Sequence, residues 1–176
     1  MAVLPILDVK EHLNITGTTH DVELLRLIAA AEAAIAHHVG PLEPTTVTRR
    51  VFGGAPALLP VVPVISLTTV TDSTGTAQVV GGYDVDTITG VISSTTGSWS
   101  ASSYYTVTYQ AGRTVCPPDL LLAVKELVRH LWASQRSPAL YPGSSVSEGP
   151  STPGAAYLMP YRVQELIAPH MQFGIG

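Results

Sequence analysis

The side chains that could do chemistry are few, and their spacing scatters them. Asp84 and Asp86 are two residues apart, so on a strand they share one face. With Asp72 they are the only acids between residues 45 and 112. A calcium ion asks for about six to eight oxygen ligands, so solvated strand carboxylates are the simpler reading. Glu126 and His130 stand one helical turn apart, but no third group completes a catalytic set, and they read as a solvated pair. His37 and His38 are adjacent on a helix and so point in different directions; protonated, they would suit the negative end of its dipole. Gly97-Ser98-Trp99-Ser100-Ala101 lacks the closing glycine and the following helix of a nucleophile elbow. Neither P-loop spacing nor an HExxH helix occurs. Cys116 lies between a strand and Pro117 with no base beside it, which suits a small buried filler. Asn14-Ile15-Thr16 matches a glycosylation sequon that only a secretory route would use. Arg49 and Arg50 alternate across a strand, so at most one faces any given partner. The sequence thus predicts no catalytic residue, no metal site, no bound cofactor and no enzyme.

The composition points the same way. In 176 residues there are nine lysines and arginines against thirteen acids, 12% charged in all, about half the usual share. With 45% hydrophobic residues, the surface is expected to include patches that meet other protein. A net charge of −4 argues against a chain that grips nucleic acid by neutralising phosphates. The lone cysteine excludes a disulfide framework and a cysteine-based zinc site. No apolar run is long enough to span a bilayer, so no membrane role is expected. The N-terminus has no basic residue before its apolar stretch and does not read as a secretion signal, so folding in the cytoplasm is expected.

The fold class expected from the pattern is α+β. Helices are predicted at 8–14, 20–39 and 118–136. Asp8 is a candidate cap for the first, and Thr18 with Asp21 fits a capping box for the second. Leu24, Leu25, Ile28, Ala31, Ile35 and Val39 recur at helical spacing, and Gly40-Pro41 ends that run. Pro117-Pro118-Asp119 opens the third helix, whose apolar face is Leu120, Val124, Leu127, Val128, Leu131 and Trp132. Between them, residues 45–112 form a β-rich section of about five or six short antiparallel strands, with turns at Asp72-Ser73-Thr74-Gly75, Gly81-Gly82 and Thr96-Gly97. Pro60 and Pro63 forbid one continuous strand there. In Tyr104–Tyr109, alternation puts Tyr105, Val107 and Tyr109 on one face. Residues 137–156 have the Pro/Gly/Ser composition of a linker. Apolar and aromatic residues then return in 157–176, where Pro160 can open a short helix that Pro169 limits. These must be buried by the same chain or by another molecule.

Taken together, this order of elements resembles the gp6-like head–tail connector (adaptor) proteins of tailed bacteriophages. Leu7-Asp8-Val9-Lys10-Glu11-His12-Leu13 is similar to that family's opening helix, and His20 through Ile35 to Gly40 to its long second helix. Val107-Thr108-Tyr109-Gln110-Ala111-Gly112, followed by Pro117-Pro118-Asp119-Leu120 and the helix to Arg136, resembles its strand–glycine–proline–helix signature. Compact connectors are nearly all helical, whereas this chain carries a long strand-rich section.

The resemblance implies a connector domain at 1–136 that forms a homo-oligomeric ring, commonly of about twelve copies, on the portal protein in the neck of a virion. The ring would extend the DNA channel, which the genome traverses without specific binding. It would also present a docking platform to the next neck, stopper or tail protein. A C-terminal arm would reach the portal through Tyr157, Leu158, Met159, Tyr161, Arg162, Val163, Leu166, Ile167, Met171 and Phe173. Two other readings stand beside it: a different neck or tail-completion protein, and a β-rich carbohydrate-binding or adhesive module.

Overall fold

The structure, a computed structural model, describes residues 3–54, 56–96, 99–136 and 159–171. The architecture is α+β, as the sequence predicts, with four α-helices and two antiparallel sheets among the described residues. The chain divides into two compact units: a helical one, Met1–His38 with Pro117–Met171, and a β unit built on Val39–Cys116. The predicted linker 137–156 lies outside the described residues, as do Tyr157, Leu158 and Phe173.

In the helical unit, α1 (Ile6–Leu13) starts two residues ahead of the predicted boundary. Pro5 precedes it in an extended conformation. A fixed φ and a missing N–H suit a residue at a helix entrance, so Asp8 falls inside the first turn rather than at the cap. The helix ends on Asn14, the sequon residue, in the left-handed conformation (φ 54°, ψ 40°). There the Asn14 and Ile15 N–H groups donate to the Glu11 and Lys10 carbonyls at 3.2 and 2.9 Å. Helix α2 (Asp21–Val39) stops where Gly40 takes a φ of 79°. Its first residue is not spent on a capping box: the Asp21 carboxylate accepts from Lys10 Nζ at 2.7 Å and ties α2 to α1. The buried stripe is Leu24, Leu27, Ile28, Ala31 and Ile35, with Leu25 on the exposed flank instead of the core.

Helix α3 (Pro118–Arg136) matches its predicted span and buries Leu120, Ala123, Val124, Leu127 and Val128. Leu131 and Trp132 are only partly buried, and His20 meets the Trp132 ring edge-on at 5.3 Å between centroids. Helix α4 (Tyr161–Ile167), entered through Pro160 and followed by a 3-10 turn at Ala168–His170, packs against α3. Val163 and Ile167 are buried in that packing. Seven residues make too short a helix to persist alone in water, so α3 is what holds α4.

In the β unit, β1 (Thr45–Phe52), β7 (Tyr104–Ala111), β3 (Val64–Thr71) and β4 (Ala77–Gln78) form one sheet in the order β1-β7-β3-β4. A second sheet has the order β2-β6-β5, from β2 (Ala57–Leu58), β6 (Val91–Ser94) and β5 (Tyr83–Val85). The pairings are all antiparallel. Among the described residues seven strands exceed the expected five or six, because β2 and β4, at two residues each, carry no alternation to read. Pro60 and Pro63 fall between β2 and β3, where the sequence predicts a break. Residues from both sheets share one core, including Val51, Leu59, Val70, Tyr83, Ile92 and Val107. In β7 the expected face is the buried one: Tyr105, Val107 and Tyr109. Trp99 stacks on Tyr105 (4.6 Å, 7°) and meets Tyr83 edge-on at 5.1 Å.

The hydroxyls of the buried tyrosines are used to hold loops. Tyr109 Oη accepts the Val61 N–H at 3.2 Å and Tyr105 Oη the Ser100 N–H at 3.0 Å. Burial pushes the Tyr109 pKa up, as expected of a phenol taken out of water. At the exit of β7, Gly112 has a φ of 114° and leaves no room for a Cβ beside the Glu43 carbonyl. The next residue, Arg113, then donates to the Val39 and Pro41 carbonyls at 3.0 and 3.2 Å.

Two substitutions test these cores. Leu127→Asp buries an unpaired charge and is expected to lower stability by at least about 3 kcal/mol; a near-wild-type thermal midpoint would mean the α3 stripe is not core. Gly112→Ala meets both a strained φ and the Glu43 backbone, with an expected loss of about 2 kcal/mol in denaturant unfolding.

Candidate partner-binding surfaces

The residues singled out for chemistry stay apart or are used structurally. Asp72 is consumed by the β3–β4 turn: its Oδ1 accepts the Thr74 and Thr76 N–H groups, both at 2.9 Å, and its Oδ2 accepts from Gln78 at 3.1 Å. Asp86 is not a strand carboxylate. It follows β5, and its Oδ1 accepts from the Ile88 and Thr89 N–H groups at 2.9 and 3.2 Å, capping the turn into β6. Hydrogen bonds to the charged form hold both carboxyls below the usual carboxylate range, led by Thr74 at Asp72 and by Ile88 at Asp86. Asp84 is exposed on β5 and takes part in neither turn. Among the described residues, no three His, Cys, Asp or Glu side chains are grouped to hold a metal ion. Cys116 is partly rather than fully buried. His37 and His38 occupy the last turn of α2, exposed and edge-to-face at 5.4 Å. Gly97 and Ser98 lie outside the described residues.

Glu126 departs from its expected role. It is not a solvated partner of His130 but a nearly covered carboxylate, its side chain 13% exposed. His12 of α1 stands 3.9 Å from it, Arg129 of α3 3.7 Å and Arg162 of α4 3.8 Å. None of these is a hydrogen-bond distance, so Glu126 acts as a shared counter-ion for three helices rather than as an oriented base. His12 Nε2 and His130 Nε2 are buried without a hydrogen-bond partner among the described residues.

Of the ten residues predicted to reach a portal, seven are described, and they divide. Val163 and Ile167 are buried on α3 and so are already occupied within this chain. Met159 and Leu166 are partly covered. Tyr161 is 75% and Met171 45% exposed, and the exposed Arg162 reaches toward Glu126. The tail therefore has an inner face spent on α3 and an outer face, Tyr161, Arg162 and Met171, turned to solvent. What locks its far end is a contact that spacing did not suggest: His170 Nε2 and Asp119 Oδ2 lie 2.6 Å apart across 51 residues. The signal was present only as an acid in the first turn of one helix and a histidine at the end of another segment. The His170 hydrogen bond is the main reason the Asp119 carboxyl sits below its usual range.

A lowered carboxyl pKa stabilises the fold above the unfolded value, and that contribution is lost as pH falls through the folded one. The protection of the Val163–Ile167 amides, measured against their intrinsic exchange rates, is therefore expected to fall on acidification below about pH 4. Asp119→Asn should show faster exchange already at neutral pH and lose the acid step; unchanged protection in that variant would remove the pair from the account.

The comparisons with known proteins bear on the whole chain. None of the curated proteins compared matches it. The family model described as "Head completion protein" matches residues 2–172, from before α1 to past the His170 contact. A match of that extent takes in both units and α4, and so the chain belongs to the head completion protein family, a family of structural phage head–tail proteins.

Proposed function

We propose that this chain is a head-to-tail connector of the gp6-like kind. In this reading copies form a ring, of about twelve as in the connectors it resembles, on the portal. The ring continues the DNA channel and offers its far side to the next neck, stopper or tail protein. The observation that carries the reading is the family match running through α4, joined to the division of the tail into a buried and an exposed face. The inner residues Val163 and Ile167 fix α4 on α3, so Tyr161, Arg162 and Met171 are presented on a preorganised support. Ordering costs fall on folding rather than on docking, which favours binding. Repeated around a ring, such small patches act together through effective concentration.

A low, net negative charge suits a wall beside sliding DNA, because a basic lining would hold phosphates. A sugar-binding module is less well supported. Such a module displays a platform of aromatic rings, and here Tyr83, Trp99, Tyr105 and Tyr109 are buried, which leaves Phe52 as the exposed ring among the described residues of the β unit.

The buried side of α4 decides which variant is informative. Removing the tail would uncover Val163 and Ile167 positions on α3 and damage the helical unit itself. Tyr161→Ala with Met171→Ala leaves the buried face alone and is expected to keep the thermal midpoint while weakening co-sedimentation with portal rings at least tenfold. Attachment at wild-type strength would take the tail's outer face out of the portal contact.

A further inference from the structure

The β unit is electrically and chemically two-sided. Its first sheet runs β1-β7-β3-β4 and its second β2-β6-β5. Strand β2 contacts β1, and the 3-10 turn Val80–Gly82 that leads into β5 contacts β3. The two sheets are thus ordered in the same sense: β1 and β2 share one edge, and β4 and β5 share the other.

Charge follows that order. Of the three arginines in the unit, Arg113 is taken up by backbone carbonyls, which leaves Arg49 and Arg50, both exposed on edge strand β1. The opposite edge carries three of the four acids of Val39–Cys116, Asp72 in the β3–β4 turn, Asp84 on β5 and Asp86 just after it; the fourth, Glu43, precedes β1 at the end of the strand away from Arg50. The two sets even share a level in the first sheet, since Arg50 pairs with Thr106, and Thr106 pairs with Thr71, the neighbour of Asp72. Apolar side chains accompany both sets. Phe52 (74% exposed) and Leu58 (45%) lie on the basic edge, Val79 (82%) and Ile88 (78%) on the acidic one.

Charges on an edge strand can simply guard it against pairing. A guard does not explain large apolar residues left in water beside the charges, nor opposite signs on opposite edges. Resting on the connector reading, we infer that the basic β1–β2 edge of one copy docks on the acidic β4–β5 edge of the next. This occupant is a second copy of the chain because each edge supplies what the other lacks. Two different patches on one subunit make a head-to-tail contact, which closes into a ring when its rotation allows. Arg50 is held ready by the Tyr104 ring, 4.3 Å from its guanidinium carbon. Asp84 is the acid whose carboxylate no turn uses.

The full-length chain decides this by mass photometry and sedimentation at low salt, with Arg49→Glu and Asp84→Lys as separate variants. Both positions are exposed, so each variant is expected to keep its fold by circular dichroism. Wild type should self-associate, and each variant alone at least tenfold more weakly. A 1:1 mixture of the two should regain association, because alternating copies make every contact complementary. Wild-type chains that stay monomeric at high concentration overturn the inference, whatever they do on a portal. Association that ignores both substitutions, or a mixture that does not recover, overturns it too and leaves a ring formed through other surfaces. Failure of the connector reading looks different: self-association that responds to charge as described, with no binding to portal rings.

Discussion

The apolar stripe of α3 is the constraint from which the helical unit follows. Leu120, Ala123, Val124, Leu127 and Val128 need cover along a helix of 19 residues, and each of the leucines and valines among them is worth about 1.5–3 kcal/mol when removed from water. Helix α1 covers part of that length and α4 another part. This explains why a seven-residue segment reached only after a long Pro/Gly/Ser stretch is folded at all. It also explains why its polar contacts point where they do. Glu126 draws in His12 and Arg162, one from each covering helix, and Asp119 catches His170 at the end of α4. The ion pairs are long or partly wet and contribute little each. Their use is to fix which way the short helices lie on a stripe that apolar contact alone would let slide.

The same logic sets what is left for other molecules. A chain with so few charges cannot cover its surface with them, so the places where large apolar side chains remain exposed carry information. In the helical unit they are Leu7 on α1, Val22 and Leu25 on α2, Tyr161 on α4 and Met171 after the 3-10 turn. On the β unit Phe52, Leu58, Val79 and Ile88 sit beside the two sheet edges, while Val115 follows β7 and Val91 lies on the middle strand β6. Backbone groups at an edge strand have no partner within the sheet, and an adjacent apolar side chain makes such an edge adhesive. Helix face and sheet edge differ in kind. The first offers side chains alone; the second offers side chains together with unpaired backbone groups.

Much of this was legible in the residues, and the misses share a cause. Periodicity is a local property, so α2, α3 and the inward face of β7 could be read directly, as could the stop at Gly40 and the break at the prolines. Helix α1 starts ahead of the expected boundary because Pro5 outweighs Asp8 as an entrance. Strands β2 and β4 were invisible because two residues hold no alternation, and their existence depends on the partners β6 and β3. Leu25 fits the helical period yet is exposed, because a broad stripe and a narrow one look alike until the facing helix is known. The candidate surfaces depended on long-range facts. That Glu126 is covered requires α1 and α4 to arrive beside it, and that Val163 and Ile167 face inward requires the partner stripe on α3. The family resemblance placed the tail on another protein; the packing places its inner half at home.

That last difference sharpens what a tail can do at an assembly joint. A segment that stays unfolded until it docks loses affinity to its own ordering, roughly 1–2 kcal/mol for each backbone residue fixed. A segment already folded on its own body avoids that loss but must keep enough surface unspent to be recognised. Helix α4 meets both conditions by its spacing. Val163 and Ile167 are four apart and fall on one side; Tyr161 falls on another, and Met171 follows the 3-10 turn beyond the His170 contact. Changing either buried residue would therefore alter recognition only through the support, whereas changing Tyr161 or Met171 alters the presented face itself. The short helix is best understood as a mount: its inward side chains belong to the stability of the fold, and its outward ones are free to answer to a partner.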